Sequence, residues 1–251
     1  MNSRAEATQE LCLRGVRWHL APAAAGRLPA WLNEHFPSVL DSKAALLKAD
    51  KGSRVATAAG LVIKESTARK RRSAYRFGFR RSGSRRAFRL GTALLALGLP
   101  TPRPLAWGTV RRLGLRLKDY LVTEYVADCR ALKDKLDACR NDPVKRRRLM
   151  EQLGNLVALF HANGYSNRDM KDTNILVTEK DGPALWVVDL DGVRRPPLIT
   201  RRRAARDFRP IAHSLSRHGM GTEEDLAGLL AGYSKTAPPR LVFDRFPDPS
   251  R

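Results

Sequence analysis

Three polar side chains follow one another at a spacing that suits the transfer of a phosphoryl group. Asn174 lies five residues after Asp169, and Asp189 directly follows the apolar run 186–188. When a phosphoryl group moves from ATP to a hydroxyl, one carboxylate receives the proton of that hydroxyl. An Asn oxygen and a second carboxylate hold a metal ion against the phosphates. The set therefore predicts a base, Asp169, and two metal ligands, Asn174 and Asp189.

Each of these residues also has an ordinary structural explanation, because Asp and Asn in loops most often begin turns or cap helices. Their order makes the set informative. Arg168-Asp169, four further residues and Asn174 form the core of the kinase catalytic-loop pattern. An Asp after an apolar strand is the metal-binding partner in that pattern. A kinase-like fold is therefore the leading hypothesis.

A helix and a hairpin are predicted to position the set. Apolar residues recur at helical spacing over 143–164, and Gly164 would end this helix just before the loop of Asp169. The segments 175–177 and 185–188 predict a hairpin with an Asp-Gly turn at 181–182. Its ends would bring the two metal ligands together. Two hard oxygen ligands combined with nucleotide phosphates suit Mg²⁺.

Three short strands within 46–64 predict the part of the fold that covers a nucleotide. The turn at Gly52 and Ser53 would lay backbone N–H groups over the phosphates, and the ammonium group of Lys64 would neutralise them. This turn is much poorer in glycine than that of protein kinases. On these residues alone, a hairpin with a surface lysine is the simpler explanation. Lys64 gains weight from its position upstream of Asp169.

The helix predicted over 86–97 lacks a carboxylate. Gly98 would cap its C-terminus, and the prolines that follow would prevent its continuation. Kinases place an acid on the helix at this position, where it pairs with the strand lysine. No acid occurs here from Ser66 to Lys118. Either another group holds Lys64 or the pairing is absent.

The middle and the end of the chain complete a mixed pattern of strands and helices. Strands are predicted over 104–110 and 120–126, around a turn at 111–118. The polar stretch that begins at Glu124 is expected to form a hinge between two lobes, and such a hinge would offer backbone groups to an adenine. Further helices are predicted over 132–138, 204–215 and 223–233.

Length and composition bound the class of protein. With 251 residues and 43% hydrophobic content, the chain can form one domain or two small lobes around a cleft. No apolar run reaches membrane-spanning length, and the first ten residues lack the apolar region of a secretory signal. The three cysteines lack metal-ligand spacing, and their odd number argues against a disulfide framework. A cytoplasmic location is expected.

The charge is the unusual feature of the composition. Lys and Arg total 47 against 25 acids, which gives a formal net charge of +22. Ten basic residues lie between Arg69 and Arg89. Such a bias indicates a polyanionic partner, namely nucleic acid, anionic lipid, or a phosphorylated or acidic substrate. Charge spread over the surface for solubility is the alternative.

Taken together, the motifs resemble the protein-kinase-like superfamily and, more narrowly, the lipopolysaccharide core kinases of Gram-negative bacteria, the Kdo and heptose kinase family. The resemblance covers about 45–235. It implies an α+β, two-lobed protein-kinase-like fold, with the ATP cleft between the lobes. A small β-rich N-lobe would span 1–124, and a mainly helical C-lobe would span 125–251. The resemblance rests on the segments 61–64, 97–105 and 121–125, the core from Asp169 to Asp189, and 201–203 with 222–233.

The resemblance implies a role for each matching residue. Asp169 would be the catalytic base, and Lys171 would steady the γ-phosphate. Asn174 and Asp189 would ligate Mg²⁺, while Lys64 would contact the α- and β-phosphates of ATP. The remaining nucleotide contacts would come from Gly52, Ser53, Glu124 and Val126.

Three departures from protein kinases accompany this resemblance. Asn167 stands where protein kinases usually have His, and Asp189-Leu190-Asp191 replaces Asp-Phe-Gly. The helix over 86–97 lacks its Glu. The first two changes leave the base and the metal ligands intact, whereas the third puts the positioning of Lys64 in doubt.

The resemblance implies an ATP- and Mg²⁺-dependent phosphotransferase that phosphorylates a sugar hydroxyl of the lipopolysaccharide core, on Kdo or heptose. That acceptor lies at the anionic inner face of the inner membrane, where the segment 69–89 would hold the enzyme peripherally. A kinase of protein or of another small molecule is a close alternative. A nucleic-acid-binding or scaffold protein on an inactive kinase fold is a further one. The charge favours it, and the complete set of Asp169, Asn174 and Asp189 disfavours it.

Overall fold

The computed structural model describes residues 8–50, 52–68, 74–79, 81–179 and 184–247. The chain divides into two compact units. Unit 1 comprises Met1–Leu95 with Pro102–Val126, and unit 2 comprises Ala96–Thr101 with Ala127–Arg251. Strands are concentrated in the N-terminal half, and helices in the C-terminal half. The mixed helix-and-sheet class with a strand-rich N-terminal part is therefore confirmed.

Unit 1 is built on one antiparallel sheet of seven strands in the order β1-β2-β6-β7-β5-β4-β3. In its core the ring of Phe36 meets those of Trp18 and Tyr120 edge to face, while Trp18 and Tyr120 are tilted against each other, all within 5.5 Å between ring centroids. The strands are β1 (Gln9–Leu13), β2 (Val16–Leu20), β3 (Leu46–Asp50), β4 (Ser53–Ala58), β5 (Leu61–Thr67), β6 (Pro104–Arg112) and β7 (Leu115–Glu124). The helices are α1 (Leu28–His35), α2 (Ala74–Phe79) and α3 (Gly83–Ala96).

The strands predicted over 46–64 are confirmed, whereas the turn predicted over 111–118 is wrong. Leu113 and Gly114 alone make the connection, with φ of 49° and 76°. Because positive φ at both central residues matches the twist of a hairpin, β6 and β7 pair up to Arg112 and Leu115. Leu-Gly is a weak signal for such a turn. The helix predicted over 86–97 is present as α3, which begins three residues earlier.

Unit 2 is mainly helical. It contains α4 (Leu132–Cys139), α5 (Pro143–Ala162), α6 (Arg201–Arg217) and α7 (Glu223–Ser234). Two small antiparallel sheets accompany these helices. One has the order β11-β10-β8, and the other pairs β12 with β9. The strands are β8 (Cys129–Ala131), β9 (Ser166–Asn167), β10 (Ile175–Thr178), β11 (Ala184–Val187) and β12 (Val193–Arg194).

The helices α5 and α7 pack at very short range because glycines face each other. A Cβ atom added to Gly154 would lie 2.7 Å from the backbone nitrogen of Tyr233 and would overlap the carbonyl oxygen of Leu229. One added to Gly232 would lie 2.6 Å from the Cα atom of Glu151. The two backbones are therefore in direct contact, and only glycine fits at these positions.

The predicted elements of unit 2 are confirmed with small changes at their ends. The predicted hairpin is formed by β10 and β11, while its predicted turn at 181–182 lies outside the described residues. Part of the basic segment 69–89, namely 69–73 and Arg80, also lies outside them. Among the helices that the structure describes, none combines the length and the hydrophobicity that a bilayer crossing requires.

Candidate active site

The helix α5 delivers the chain to the loop that carries Asp169. Asp142 caps its N-terminus by accepting a hydrogen bond from the backbone nitrogen of Lys145 at 3.0 Å. Its apolar face, including Leu153 and Phe160, is fully buried. The helix ends at Ala162, and Gly164 then adopts a φ of 78° that turns the chain. A buried helix thus fixes the start of the candidate loop.

The structure brings Asp169, Lys171 and Asn174 together. The side-chain nitrogen of Asn174 donates to the carbonyl oxygen of Asp169 at 3.0 Å and to its carboxylate oxygen Oδ2 at 2.9 Å. The ammonium group of Lys171 lies 3.2 Å from the other carboxylate oxygen. The carboxylate of Asp169 is therefore held from two sides and remains partly exposed, with 35% of the side chain accessible.

Asp189 lies at the strand end beside Asn174. The residues Ile175 and Val187 face each other in the pairing of β10 with β11. One step beyond, the backbone nitrogen of Val188 donates to the carbonyl oxygen of Asn174 at 3.0 Å. Asp189 follows directly, and its Oδ1 accepts a hydrogen bond from the backbone nitrogen of Asp191 at 3.1 Å. The hairpin thus places the two predicted metal ligands at neighbouring ends of two paired strands.

This donor set fits Mg²⁺. Because the Asn174 amide directs its NH₂ group to Asp169, its carbonyl oxygen is the atom that it would offer to a cation. The Asp189 carboxylate supplies a second hard oxygen. Mg²⁺ is commonly held by one or two protein oxygens together with water and substrate phosphates.

The segment after Asp189 packs directly on the loop of Asp169. A Cβ atom added to Gly192 would lie 2.6 Å from Oδ1 of Asn167 and 2.6 Å from Cβ of Asp169. The next residues form β12, in which Val193 pairs with Asn167 of β9. Gly192 was not among the residues predicted from the sequence. A glycine three residues after the predicted metal ligand Asp189 was the available signal.

Asn167, which replaces the usual His of protein kinases, is buried in this contact. Its Oδ1 accepts a hydrogen bond from the backbone nitrogen of Asp169 at 3.0 Å. The substitution therefore leaves a side chain that fixes the backbone of the candidate base.

Asp207 of α6 is a residue that the sequence analysis missed. Its fully buried carboxylate accepts hydrogen bonds from the backbone nitrogen of Asn167 at 2.9 Å and from the hydroxyl of Ser166 at 3.0 Å. A third bond, of 3.1 Å, joins it to Nε2 of His161. Since an ionised carboxylate only accepts, Nε2 carries a proton, and Nδ1 lies 2.9 Å from the hydroxyl oxygen of Tyr233.

A signal for Asp207 exists in the sequence. It is the only acid in α6, and it occupies the apolar stripe of that helix together with Ala204, Phe208 and Ile211. An acid on an apolar face requires buried partners, because burial of an unpaired carboxylate is costly.

A second cluster holds the middle of the loop. The buried carboxylate of Asp172 accepts hydrogen bonds from Arg217 at 3.1 Å and from Nε2 of His218 at 2.9 Å. The hydroxyl of Ser214 accepts a bond from the Asp172 backbone nitrogen at 3.2 Å. The other ring nitrogen of His218 lies 2.9 Å from the carboxylate of Asp137 in α4.

The charges in this cluster shift one another's protonation. Hydrogen bonds to Asp137 and Asp172 raise the pKa of His218 above its ordinary value. Burial acts to raise the pKa of Asp172, but the hydrogen bond from His218 and the charge of Arg217 outweigh it, so that this pKa is lowered. The ionised forms of both residues therefore stabilise each other.

The residues predicted to contact the nucleotide lie in unit 1. Lys64 is in the centre of the sheet, where it pairs with Val55 of β4 and Leu121 of β7. The N–H of Gly52 donates to the carbonyl oxygen of Asp50 at 2.7 Å, within the turn between β3 and β4.

Ser53 and Glu124 occupy strand ends of the same unit, and Val126 lies just beyond one of them. Ser53 begins β4 and faces Ser66 of β5. Glu124 ends β7 and forms an ion pair with Arg103 at 3.7 Å, and Val126 follows two residues later. As the sequence indicates, α3 contains no acid.

Glu65, the neighbour of Lys64, is buried, and its bonds go to other residues. The Arg54 side chain donates to its Oε1 at 2.9 Å, and Lys118 and Tyr120 donate to its Oε2 at 3.1 Å and 3.0 Å. Successive side chains of a strand point to opposite faces. Glu65 therefore does not stand in for the missing helix carboxylate.

Comparison with known proteins identifies relatives of this chain. Two curated relatives are both named 3-deoxy-D-manno-octulosonic acid kinase. The relative from Stenotrophomonas maltophilia (strain R551-3) is 35% identical over 152 residues, and that from Xanthomonas campestris pv. campestris (strain B100) is 36% identical over 151 residues. Each match covers 59% of this chain and 57% of the relative, so the chain spans less than two thirds of either relative's length.

A solved structure and a family description give broader coverage. The structure titled "WaaP in complex with acyl carrier protein" superposes with a TM-score of 0.61 at 20% identity, covering 84% of this chain and 87% of that one. It shows the fold. The description "Lipopolysaccharide kinase (Kdo/WaaP) family" matches residues 51–233, which include every candidate site residue described above. The chain therefore belongs to the lipopolysaccharide kinase (Kdo/WaaP) family.

Proposed function

We propose that this protein is an ATP- and Mg²⁺-dependent kinase that phosphorylates a sugar hydroxyl of the lipopolysaccharide core. The observation that carries the proposal is the arrangement of Asp169, which Asn174 and Lys171 hold from two sides at the end of a buried helix. A partly exposed carboxylate fixed in this way is suited to receive a proton from a bound hydroxyl.

The transfer itself follows from these residues. The acceptor oxygen attacks the γ-phosphorus of ATP, the bond between that phosphorus and the ADP oxygen breaks, and the hydroxyl proton passes to Asp169. The ammonium group of Lys171, beside Asp169, would steady the γ-phosphate. A bound Mg²⁺ would neutralise charge on the phosphates, and Asn174 and Asp189 would hold it.

Unit 1 would supply the remaining contacts to ATP. The ammonium group of Lys64 would neutralise the α- and β-phosphates, and the turn at Gly52 and Ser53 would cover them. Backbone groups around Glu124 and Val126 would hold the adenine. These assignments rest on the resemblance to the family and on the position of each residue in the sheet.

Kdo is the acceptor that we favour over heptose. The curated relatives are named as kinases of 3-deoxy-D-manno-octulosonic acid, which is Kdo, whereas the family description covers both Kdo and WaaP enzymes. A lipid-linked acceptor would place the protein in the cytoplasm, in peripheral contact with the inner face of the inner membrane. The net charge of +22 suits such an anionic surface.

Purified protein tests the proposal directly. It would be incubated with ATP, Mg²⁺ and either a Kdo-bearing lipid A acceptor or a heptose-extended core, and the products would be weighed by mass spectrometry. The wild type should add one phosphate to the Kdo acceptor. The Asp169→Asn variant should be slower by about 10²- to 10⁴-fold, since it lacks the base. The matched control Asp134→Asn removes an exposed acid of α4 and should keep full activity.

Measurements of ATP binding distinguish the role of the predicted metal ligands from that of the predicted base. The Asp189→Ala variant should lose Mg²⁺-dependent ATP binding, whereas Asp169→Asn should retain it. If only the heptose-extended core were phosphorylated, the acceptor would be heptose and not Kdo, and the kinase chemistry would be unchanged. If the wild type phosphorylated neither sugar but bound RNA regardless of Asp189, the nucleic-acid-binding alternative would take its place.

A further inference from the structure

Three large apolar side chains are exposed around the tip of the hairpin formed by β6 and β7. Leu113 at the turn is 94% exposed, Leu117 in β7 is 47% exposed, and Phe79 at the end of α2 is 77% exposed. Single exposed apolar residues are common on protein surfaces, whereas a group of them marks an interaction site.

Local packing brings the three residues to one place. The helix α2 lies against the start of β7, because the Arg116 side chain donates to the carbonyl oxygen of Phe77 at 2.6 Å. A Cβ atom added to Gly78 would lie 3.2 Å from the side chain of Leu115. Phe79 follows Gly78, and Leu113 and Leu117 lie two residues to either side of Leu115. The three side chains therefore surround the same end of the hairpin.

The tip is a well-braced part of the fold. The Arg111 side chain donates to the carbonyl oxygen of Gly114 at 2.8 Å, across the two-residue turn. The buried guanidinium group of Arg116 lies 4.5 Å from the centre of the Phe77 ring. The pairing of β6 with β7 continues to Arg112 and Leu115, with one register shift between Val110 and Arg111 that skips Leu117. Leu113 is thus presented outwards by a fixed backbone.

The charged side chains around this tip are basic. Arg81, Arg111 and Arg112 are exposed, and Lys118 is half exposed. The nearest acid in the sequence, Asp119, is buried and is occupied by Arg116 and by the N-terminus of α3. No acid occurs between Ser66 and Lys118, and the sequence adds four further basic residues at 69–72.

We propose that Phe79, Leu113 and Leu117, surrounded by Arg81, Arg111 and Arg112, dock this protein onto an anionic lipid bilayer. We refer to these six residues as the hairpin-tip surface. Apolar side chains within a basic rim match a bilayer surface, because the former enter the boundary of the acyl chains while the latter meet lipid phosphates. A protruding leucine that is 94% exposed offers no groove to a partner helix and no stacking face to a nucleic-acid base.

This inference deepens the membrane contact that the proposed function entails, but its test needs neither ATP nor sugar. Binding to vesicles of phosphatidylglycerol mixed with phosphatidylcholine would be measured by co-sedimentation and compared with binding to vesicles of phosphatidylcholine alone. The wild type should bind the anionic vesicles, and added salt should weaken this binding. A negative result here would leave the proposed kinase activity standing.

Matched variants test whether vesicle binding depends on the hairpin-tip surface. The triple variant Phe79→Ser, Leu113→Asn, Leu117→Thr should lower the vesicle partition coefficient by roughly tenfold or more, because exposed apolar groups no longer insert. Asn is chosen for position 113 because it tolerates a positive φ. The control Val144→Ser, Leu198→Ser removes exposed apolar side chains of unit 2 and should bind like the wild type.

Insertion itself can be observed by fluorescence. In a Leu113→Trp variant, emission should shift to shorter wavelength when anionic vesicles are added, whereas a Val144→Trp variant should show no such change. The proposal is overturned if the wild type ignores anionic vesicles or if the triple variant binds them as the wild type does. Binding to an acidic protein or to RNA that depends on the same residues, without vesicle binding, would also overturn it.

Discussion

Asp207 links the candidate catalytic loop to the helical core of unit 2. Its carboxylate accepts from the backbone of Asn167, from Ser166 and from His161, and all three donors are buried. Asp207 is thus a positioning residue, since it fixes the segment that leads into Asp169 without belonging to the candidate set itself.

Substitution of Asp207 should damage stability and activity together. In Asp207→Ala three buried donors lose their acceptor, so the free energy of unfolding should fall by about 3–5 kcal/mol. Asp207→Asn keeps one acceptor oxygen and the volume of the side chain, so it should cost less and should mainly lower kcat at unchanged KM for ATP. Urea unfolding and steady-state kinetics measure both effects. Unchanged stability and kcat in the alanine variant would refute the positioning role.

His218 is predicted to make the stability of unit 2 depend on pH. Its pKa is raised by hydrogen bonds to Asp137 and Asp172, and the charges that face it include Arg217 beside Asp172 and Arg140 beside Asp137. A raised folded-state pKa means that the stabilisation is complete below the unfolded value of about 6.5. It is lost as the pH rises through the folded value.

The His218→Gln variant tests this dependence. At pH 6 it should be less stable than the wild type by about 1–2 kcal/mol, because charge-assisted hydrogen bonds to two carboxylates are lost. At pH 9 the two proteins should unfold at nearly the same denaturant concentration. The control His213→Gln changes an exposed histidine of α6. A gap between wild type and His218→Gln that is constant with pH would show that the charge on His218 contributes nothing.

At the scale of elements, the contact between α5 and α7 is the most sharply defined in unit 2. Gly154 and Gly232 allow the two backbones to touch, so any side chain there must push the helices apart. The helix α5 leads into the loop of Asp169, and Tyr233 of α7 contacts His161 of α5. The packing of these two helices therefore stabilises the start of the candidate loop.

Gly154→Ala should therefore destabilise the protein by about 3 kcal/mol or more, since backbone cannot move aside as a flexible side chain can. The matched control is Gly83→Ala in α3, where an added Cβ meets nothing within 4 Å. There the change should be neutral or should stabilise by up to about 1 kcal/mol, as alanine is the better helix former. Thermal unfolding of both variants distinguishes the two effects. Equal melting temperatures for Gly154→Ala and Gly83→Ala would contradict the close packing of α5 against α7.

Local patterns in the sequence predict most elements but not the contacts that adjust their ends. The strands of 46–64 and the helix α5 have clear periodicity, and both are confirmed. The start of α3 was predicted three residues late because its N-terminus is bound by Asp119, which lies 36 residues away, at 3.0 Å from the Gly83 nitrogen. The strand β1 was missed, since its residues are mostly polar or exposed.

In the candidate site, too, local patterns are predictable from the sequence and long-range contacts are not. Asp169, Lys171 and Asn174 lie within six residues of one loop, where a local motif can be read, and the structure brings them together. Asp207 and His218 support this loop from positions more than 35 residues further along the chain. No local pattern fixes such pairings, because they depend on how α6 packs against α5.

For the whole molecule, the formal charge of +22 should oppose folding through mutual repulsion of basic groups. Raising NaCl from about 0.02 M to about 0.3 M shortens the range of this repulsion. The urea concentration at half unfolding should therefore increase. Sulfate at matched ionic strength should stabilise further, because a divalent anion binds clustered arginines more strongly than chloride does.

Glycerol, which changes no charge, serves as the comparison for general solvent effects. A fall in the urea midpoint with NaCl would mean that specific ion pairs, such as that of Arg146 with Asp225, outweigh the net repulsion.

The hydrogen bonds of Asp207 also bear on how active and inactive relatives should be told apart. A descendant of this chain that lost only Asp207 would keep Asp169, Asn174 and Asp189, and a motif search would count it as a working enzyme. Its loop would nevertheless lack the acceptor for Ser166, Asn167 and His161. An acid in α6 is therefore a criterion to add to the three motif residues when a sequence is judged competent for catalysis.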